Sequence, residues 1–191
     1  MRFTLMAVAA GILIGVLVGG RVRHLGDRTF RLLPLLVTGV ALQAVGVRME
    51  STAGLVLILV SYLLLLGFAL ANASLVGMWL VALGVALNLL VIGANAGMPV
   101  RPAALVAAGV ARPDEVGDID LGGKRHLERP SDRLTFIADV FPVSPLAEVL
   151  SFGDIALDIG MANVIVHLMR PVRSRHAVRS PRPSVAGEEW K

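Results

Sequence analysis

The sequence contains no cysteine, and this absence limits the chemistry that the chain can perform. None of the 191 residues is cysteine, which excludes structural disulfides, thiol nucleophiles and thiolate metal ligands. The H-E-x-x-H and G-x-S-x-G motifs and phosphate-binding glycine loops are absent as well. The four histidines are divided between the two predicted sides of a membrane, so they cannot form one site. We therefore expect no metal ion, no cofactor and, on balance, no enzyme.

Long uncharged apolar runs dominate the composition. Hydrophobic residues make up 55% of the chain and the mean hydropathy is +0.75, whereas a soluble domain is about 45–50% apolar. The first run resembles a signal peptide, but its length and the lack of a cleavage site favour a retained helix. The sequence predicts an all-α integral membrane bundle of about five transmembrane helices, forming one domain over residues 1–169. The helices are expected at residues 3–20, 32–47, 54–71, 75–94 and 149–169.

Residues 95–148 have a different composition from the helices on either side. They hold eight acidic and six basic residues and are rich in proline. A segment of this length is too long for an inert loop, so we predict an extracytoplasmic segment that folds over the helix ends. Residues 170–191 are rich in arginine, serine and proline, which is typical of a disordered tail.

Basic residues near the helix ends predict the orientation. They concentrate between the first two runs and in the tail, and such clusters favour the cytoplasmic side. The N-terminus is then outside and the C-terminus cytoplasmic, in the inner (plasma) membrane. The expected partners are the lipid bilayer, anionic lipid headgroups at the tail, and a homo-oligomer or membrane complex. Nucleic acid is not expected, because no aromatic or folded module accompanies the arginines.

Glycines recur at helical spacing in two of the runs. This pattern places small residues on one face of a helix, where a second helix can approach closely. We predict that they serve helix packing, either within the bundle or between protomers. They are Gly11, Gly15 and Gly19 in the first run, and Gly77 and Gly84 in the fourth.

Five polar residues are expected near the outer ends of the fourth and fifth helices. Amides in a bilayer need hydrogen-bond partners, so those of the fourth helix either bond a backbone carbonyl or Gln43 or line a polar cavity. The predicted cluster consists of Asn88, Asn95, Asp139, Asp154 and Asp158.

Asp154 and Asp158 lie four residues apart and therefore on one helix face. Asp154 has a structural explanation, because Ser151 and Asp154 have the spacing of a capping box. Asp158 lies one turn deeper and has no capping role. It is expected to be functional or to pair with an arginine, for which Arg101 and Arg133 are candidates.

Three short motifs resemble a bacterial family of small polytopic membrane proteins of unknown function. They are N-A-G-M-P-V at residues 95–100, D-V-F-P at 139–142 and S-F-G-D at 151–154. The family pattern favours glycine where Ala96 stands, so a left-handed turn at this position is in doubt. The resemblance implies an inner-membrane location and brings no activity with it.

Two classes of function follow from these features. The first is a binding or transport component for a lipid, an ion or a small solute, using the polar cluster. The alternative is a non-catalytic assembly subunit of a membrane complex, in which the glycines and polar residues serve association alone. An enzyme that acts on a lipid-linked substrate is a more distant third.

Overall fold

The structure is a computed structural model that describes residues 2–26 and 29–171. The predicted tail lies outside the described residues except for its first two positions. Within the described residues the chain forms six α-helices: α1 (Arg2–Leu17), α2 (Leu33–Gly46), α3 (Thr52–Ala71), α4 (Met78–Asn95), α5 (Pro102–Ala107) and α6 (Phe152–Leu168). The five long helices coincide with the five predicted runs to within a turn at each end. The described residues are thus mostly helical.

Four short strands, which the all-α prediction did not include, form in the segment between α4 and α6. They are β1 (Met98–Val100), β2 (Arg125–Leu127), β3 (Phe141–Val143) and β4 (Glu148–Leu150). β1 pairs with β2 in parallel, and β3 pairs with β4 antiparallel. Short 3-10 helices occur at Val22–Gly26, Val116–Asp118, Thr135–Ile137 and Ser144–Leu146. These elements make residues 96–151 a folded cap with its own apolar core around Val100 and Leu105.

The long helices form a row in the order α2, α3, α4, α6, α1. Each packs on its neighbour in that order. The two helices at the ends of the row, α1 and α2, make at most marginal contact with each other among the described residues. The cap covers the end of the row at which α4 ends and α6 begins, which we call the capped end. The opposite end carries Arg21, Arg23, Arg31 and Arg170, and we call it the basic end.

Glycines on α4 and α6 explain why these two helices pack closely. Gly84 lies against the backbone of Gly153, and Gly77 lies against the backbone of Gly160. α4 and α6 cross antiparallel, and each helix contributes two glycines that lie seven residues apart. Gly77 and Gly84 were predicted to be packing residues, whereas their partners on α6 were not recognised.

The glycines of α1 pack against α6 within the same chain. Gly11 lies against the Ala162 backbone, and Gly15 lies against the Met169 side chain. Gly19 has no neighbour where a side chain would begin, among the described residues. It is left-handed, with a φ of 83°, and it lies past the end of α1.

Local sequence explains where α4 and α6 begin and end. Ser151 and Asp154 form the predicted capping box at the start of α6, with both reciprocal hydrogen bonds present. α4 ends at Ala96, which adopts the left-handed conformation with a φ of 53°. The doubt about a left-handed turn at this position was therefore misplaced. Ala96 adopts this conformation at the cost of some strain, and the amides of Gly97 and Met98 that follow it donate to the Ile92 and Lys124 carbonyls.

Two of the helices, α3 and α4, are long and apolar enough to cross a membrane. Helices α1 and α2 are shorter but also apolar. Large apolar side chains lie exposed on all five long helices, among them Leu17, Val37, Leu63, Trp79 and Ile159. An exposed apolar surface of this extent is unusual for a soluble monomer.

Candidate functional site

A cavity with several polar lining residues lies at the capped end. Side chains from all five long helices line it. One part has a volume of about 330 Å³ and is bounded by the cap. The adjoining part has a volume of about 700 Å³ and extends toward α1 and α2. The polar residues that line both parts are Gln43, Tyr62, Asn88, Arg125 and Asp154. Because all five helices contribute, the row must curve around this cavity.

Asn88 on α4 is buried and fixed by two polar partners on the neighbouring helix. Its Nδ2 donates to Asp154 Oδ1 at 2.9 Å, and its Oδ1 accepts from Ser151 Oγ at 2.9 Å. The expected partners, a backbone carbonyl or Gln43, were wrong, because the glycine contacts bring the start of α6 alongside α4. The capping box therefore has a second role, since it also orients the Asn88 amide at the cavity wall.

Asp139 in the cap is almost fully buried and forms an ion pair with Arg125 on β2. Arg125 Nε lies 3.1 Å from Asp139 Oδ2, but the contact lacks hydrogen-bond geometry, and neither Asp139 oxygen has a hydrogen-bond partner among the described residues. Burial raises the pKa of Asp139 to about 7, although the Arg125 guanidinium acts to lower it. The Asp154 carboxylate adds to the increase. Asp139 therefore changes its charge close to neutral pH.

Glu148 holds the N-terminus of α1 against the cap. The backbone N–H groups of Arg2 and Phe3 donate to its carboxylate at 2.7 Å and 3.0 Å. Burial acts to raise the pKa of Glu148, but hydrogen bonds and nearby positive charge, including these two backbone bonds, prevail and lower it to about 2. Glu148 remains ionised at neutral pH and orients α1 relative to the cavity that it lines.

The structure brings three of the five predicted polar residues to one cavity. Asn88, Asp139 and Asp154 line it. Asn95 instead joins α4 to the cap, since its Nδ2 donates to the Arg133 carbonyl at 2.8 Å and its Oδ1 accepts from the Arg133 amide at 2.7 Å. Asp158 does not line the cavity.

Asp158 points toward α1, where Thr4 Oγ1 donates to its Oδ2 at 3.4 Å. Its Oδ1 has no hydrogen-bond partner among the described residues. Of the two alternatives for Asp158, the pairing with Arg101 or Arg133 is wrong, because Asp158 forms no ion pair among the described residues and Arg101 pairs with Glu128 in the cap at 3.3 Å. Their spacing places Asp154 and Asp158 on one face of α6. That face lies between α4 and α1, so Asp154 contacts Asn88 on α4 and Asp158 contacts Thr4 on α1.

Two cavity residues were not singled out from the sequence. Tyr62 is the only tyrosine in the chain, and its position in the middle of an apolar run was a usable signal. Arg125 gave no such signal, because it is one of several charged residues in the cap. The described residues contain no group of His, Cys, Asp and Glu suited to a metal ion. The cavity lining presents hydrogen-bonding groups, charged groups and apolar side chains.

These features define a mostly helical protein that has two helices able to cross a membrane and a polar cavity beneath a folded cap. The chain belongs to DUF5317, a family of unknown function, which it matches over residues 27–166. This confirms the resemblance to an uncharacterised family. The matched region begins after α1 and includes the cavity residues of α2, α3, α4, the cap and α6. No curated protein and no solved structure matches the chain significantly.

Proposed function

We propose that this protein is a multi-pass membrane protein that binds a small ligand in the cavity at the capped end. The observation that carries the proposal is the convergence of Asn88, Asp139 and Asp154, from two helices and the cap, on one cavity. Burying polar groups beside an apolar medium is costly unless they are satisfied or serve a function. The side-chain amide of Gln43 lines the cavity and makes no hydrogen bond among the described residues, which leaves it available to a ligand.

The proposal includes all five long helices as membrane spans. Their exposed apolar side chains support it, as does the up-and-down course of α1 to α4. The arginines at the basic end favour the cytoplasm, so the cap lies outside the inner membrane.

Single cysteines in this cysteine-free chain test the orientation. An impermeant maleimide should label Ser131→Cys in the cap of intact cells and spare Ser74→Cys at the basic end. The opposite labelling pattern would reverse the orientation.

Neutralising Asp154, which lines the cavity, should weaken ligand binding, whereas neutralising Asp158 on the same helix should not. We expect Asp154→Asn to reduce the fraction of protein that retains a bound ligand about tenfold in native mass spectrometry, because the variant loses the charge-assisted hydrogen bond that fixes the Asn88 amide at the cavity wall. Asp158→Asn is the matched control, because it makes the same change one turn away, facing Thr4. Equal retention in the two variants would contradict binding in this cavity.

The alternative, a non-catalytic assembly subunit, assigns the glycine faces and the polar residues to association alone. Gly11, Gly15, Gly77 and Gly84 are all occupied by contacts within the chain. No observation among the described residues therefore favours assembly over ligand binding.

A further inference from the structure

Building on the proposed function, we infer that the ligand is a lipid with a phosphate headgroup, which enters sideways from the bilayer between α1 and α2. The headgroup lies at the cap beside Arg48, Lys124 and Arg125, and the acyl chains lie along the apolar part of the cavity. The inference rests on the hydrogen-bonding capacity of the cavity, on its apolar lining and on the opening in the helix row.

Two of the three carboxylates that line the cavity have their oxygens occupied within the chain, and the third, Asp139, is ion-paired with Arg125. Asp154 accepts from Asn88 Nδ2 and from the Ser151 amide, and Glu148 accepts from two backbone amides. In contrast, Arg48 uses one donor, to the Ala44 carbonyl at 2.9 Å. A ligand that supplies acceptors would match these spare donors.

Lys124 likewise uses one donor, to the Ser51 carbonyl at 3.1 Å. Neither Arg48 nor Lys124 has a carboxylate partner in the part of the chain that the structure describes. Arg125 pairs with Asp139 through its Nε, so its terminal N–H groups remain available to a ligand. Three cations with spare donors at one end of a cavity suit a phosphate, whose several oxygens accept hydrogen bonds from all of them.

The remainder of the larger part of the cavity is apolar and opens toward the bilayer. Its walls are formed by aliphatic side chains of α2, α3, α6 and the cap, namely Val40, Ala44, Val47, Leu65, Val149, Leu150 and Leu157. Val40 is 52% exposed, and Thr4 of α1 lies on the opposite wall. Since α1 and α2 do not close the row, an acyl chain can pass between them while the headgroup stays at the level of the cap.

The test uses the full-length protein in detergent, titrated with dihexanoyl phosphatidic acid and observed by native mass spectrometry. We expect saturable binding to wild type and about tenfold weaker binding to the double variant Arg48→Gln/Lys124→Gln, as the loss of charge-assisted contacts implies. The control is Arg129→Gln, an exposed arginine of the cap that does not line the cavity, which should bind as wild type does. Equal weakening by the control would overturn the inference.

Three further ligands distinguish the source of the phosphate. Inorganic phosphate and dihexanoylglycerol should each fail to displace the lipid phosphate, because each supplies only half of the contacts. Displacement by inorganic phosphate at similar concentration would show a site for free phosphate, and displacement by the neutral lipid would show that the headgroup is not recognised. Dihexanoyl phosphatidylcholine should bind more weakly, because its choline would place a fourth cation beside the three in the site.

A variant with a bulky side chain in the apolar part of the cavity tests whether the lipid enters between α1 and α2. Ala44→Trp places an indole in the apolar part and should abolish binding of the lipid phosphate. Ala41→Trp is the matched control, on the exposed face of the same helix and outside the cavity lining. Unchanged binding in Ala44→Trp would overturn the entry between α1 and α2.

If wild type retains an endogenous ligand without phosphate, the inference fails and the proposed function stands. If wild type binds neither an endogenous ligand nor the probe, both fail.

Discussion

Burial of Asp139 should lower the free energy of unfolding by about 3 kcal/mol as the pH rises from 4 to 7, and the replacement Asp139→Asn should remove this part of the pH dependence. The folded state raises the pKa of Asp139 from 3.8 to about 7, mainly through burial. Between these two values the folded protein holds a proton that the unfolded chain has released. Stability is therefore greatest below pH 4 with respect to this group and is lost as the pH rises through 7.

Thermal or denaturant unfolding in detergent, measured at a series of pH values, tests this expectation. Asp114→Asn is the control, because it removes an exposed carboxylate from the same cap and should leave the slope as in wild type. Glu148 acts in the opposite direction but below this window, because its pKa is lowered to about 2. In Arg125→Gln the loss of the guanidinium should raise the pKa of Asp139 further and extend the window above pH 7. A wild-type slope that survives in Asp139→Asn would show that another group is responsible.

Replacing Gly84 by alanine should destabilise the protein by about 2 to 3 kcal/mol. A methyl group at this position would overlap the Gly153 carbonyl and the backbone and side chain of Leu157, so α4 and α6 would have to separate. Separation also pulls Asn88 away from Ser151 and Asp154, and ligand binding should weaken along with stability.

Gly93→Ala is the matched control on the same helix. Its methyl group would meet only Leu59 Cδ2, at an ordinary contact distance of 3.7 Å. Alanine is also the better helix former, so this variant should be as stable as wild type or slightly more stable. If Gly84→Ala unfolds at the same temperature as Gly93→Ala, the close crossing of α4 and α6 does not govern the stability of the bundle.

The sequence predicted the helices well because their signal is local. Long, mainly apolar runs located all five long helices, and the Ser151–Asp154 spacing located the start of α6. The strands of the cap were missed because each is only three residues long and is formed by pairing between distant segments, such as β1 with β2. Such short strands have no periodicity for a sequence to show.

The candidate site was only partly predictable for the same reason. Helical spacing grouped Asn88 with Asn95, and Asp154 with Asp158, although in each pair only one residue lines the cavity. Spacing gives the face of a helix, but the neighbouring helix decides what that face meets. The partners Gly153 and Arg125 depend on how α6 and the cap pack on α4, which local patterns do not encode.

The central claim, that the cavity at the capped end holds a ligand, is tested most directly by the native mass of the wild-type protein released from lipid nanodiscs. The account predicts a discrete non-covalent adduct at one copy per chain that persists when loosely attached lipids have been removed. A bare chain mass under the same conditions would contradict it.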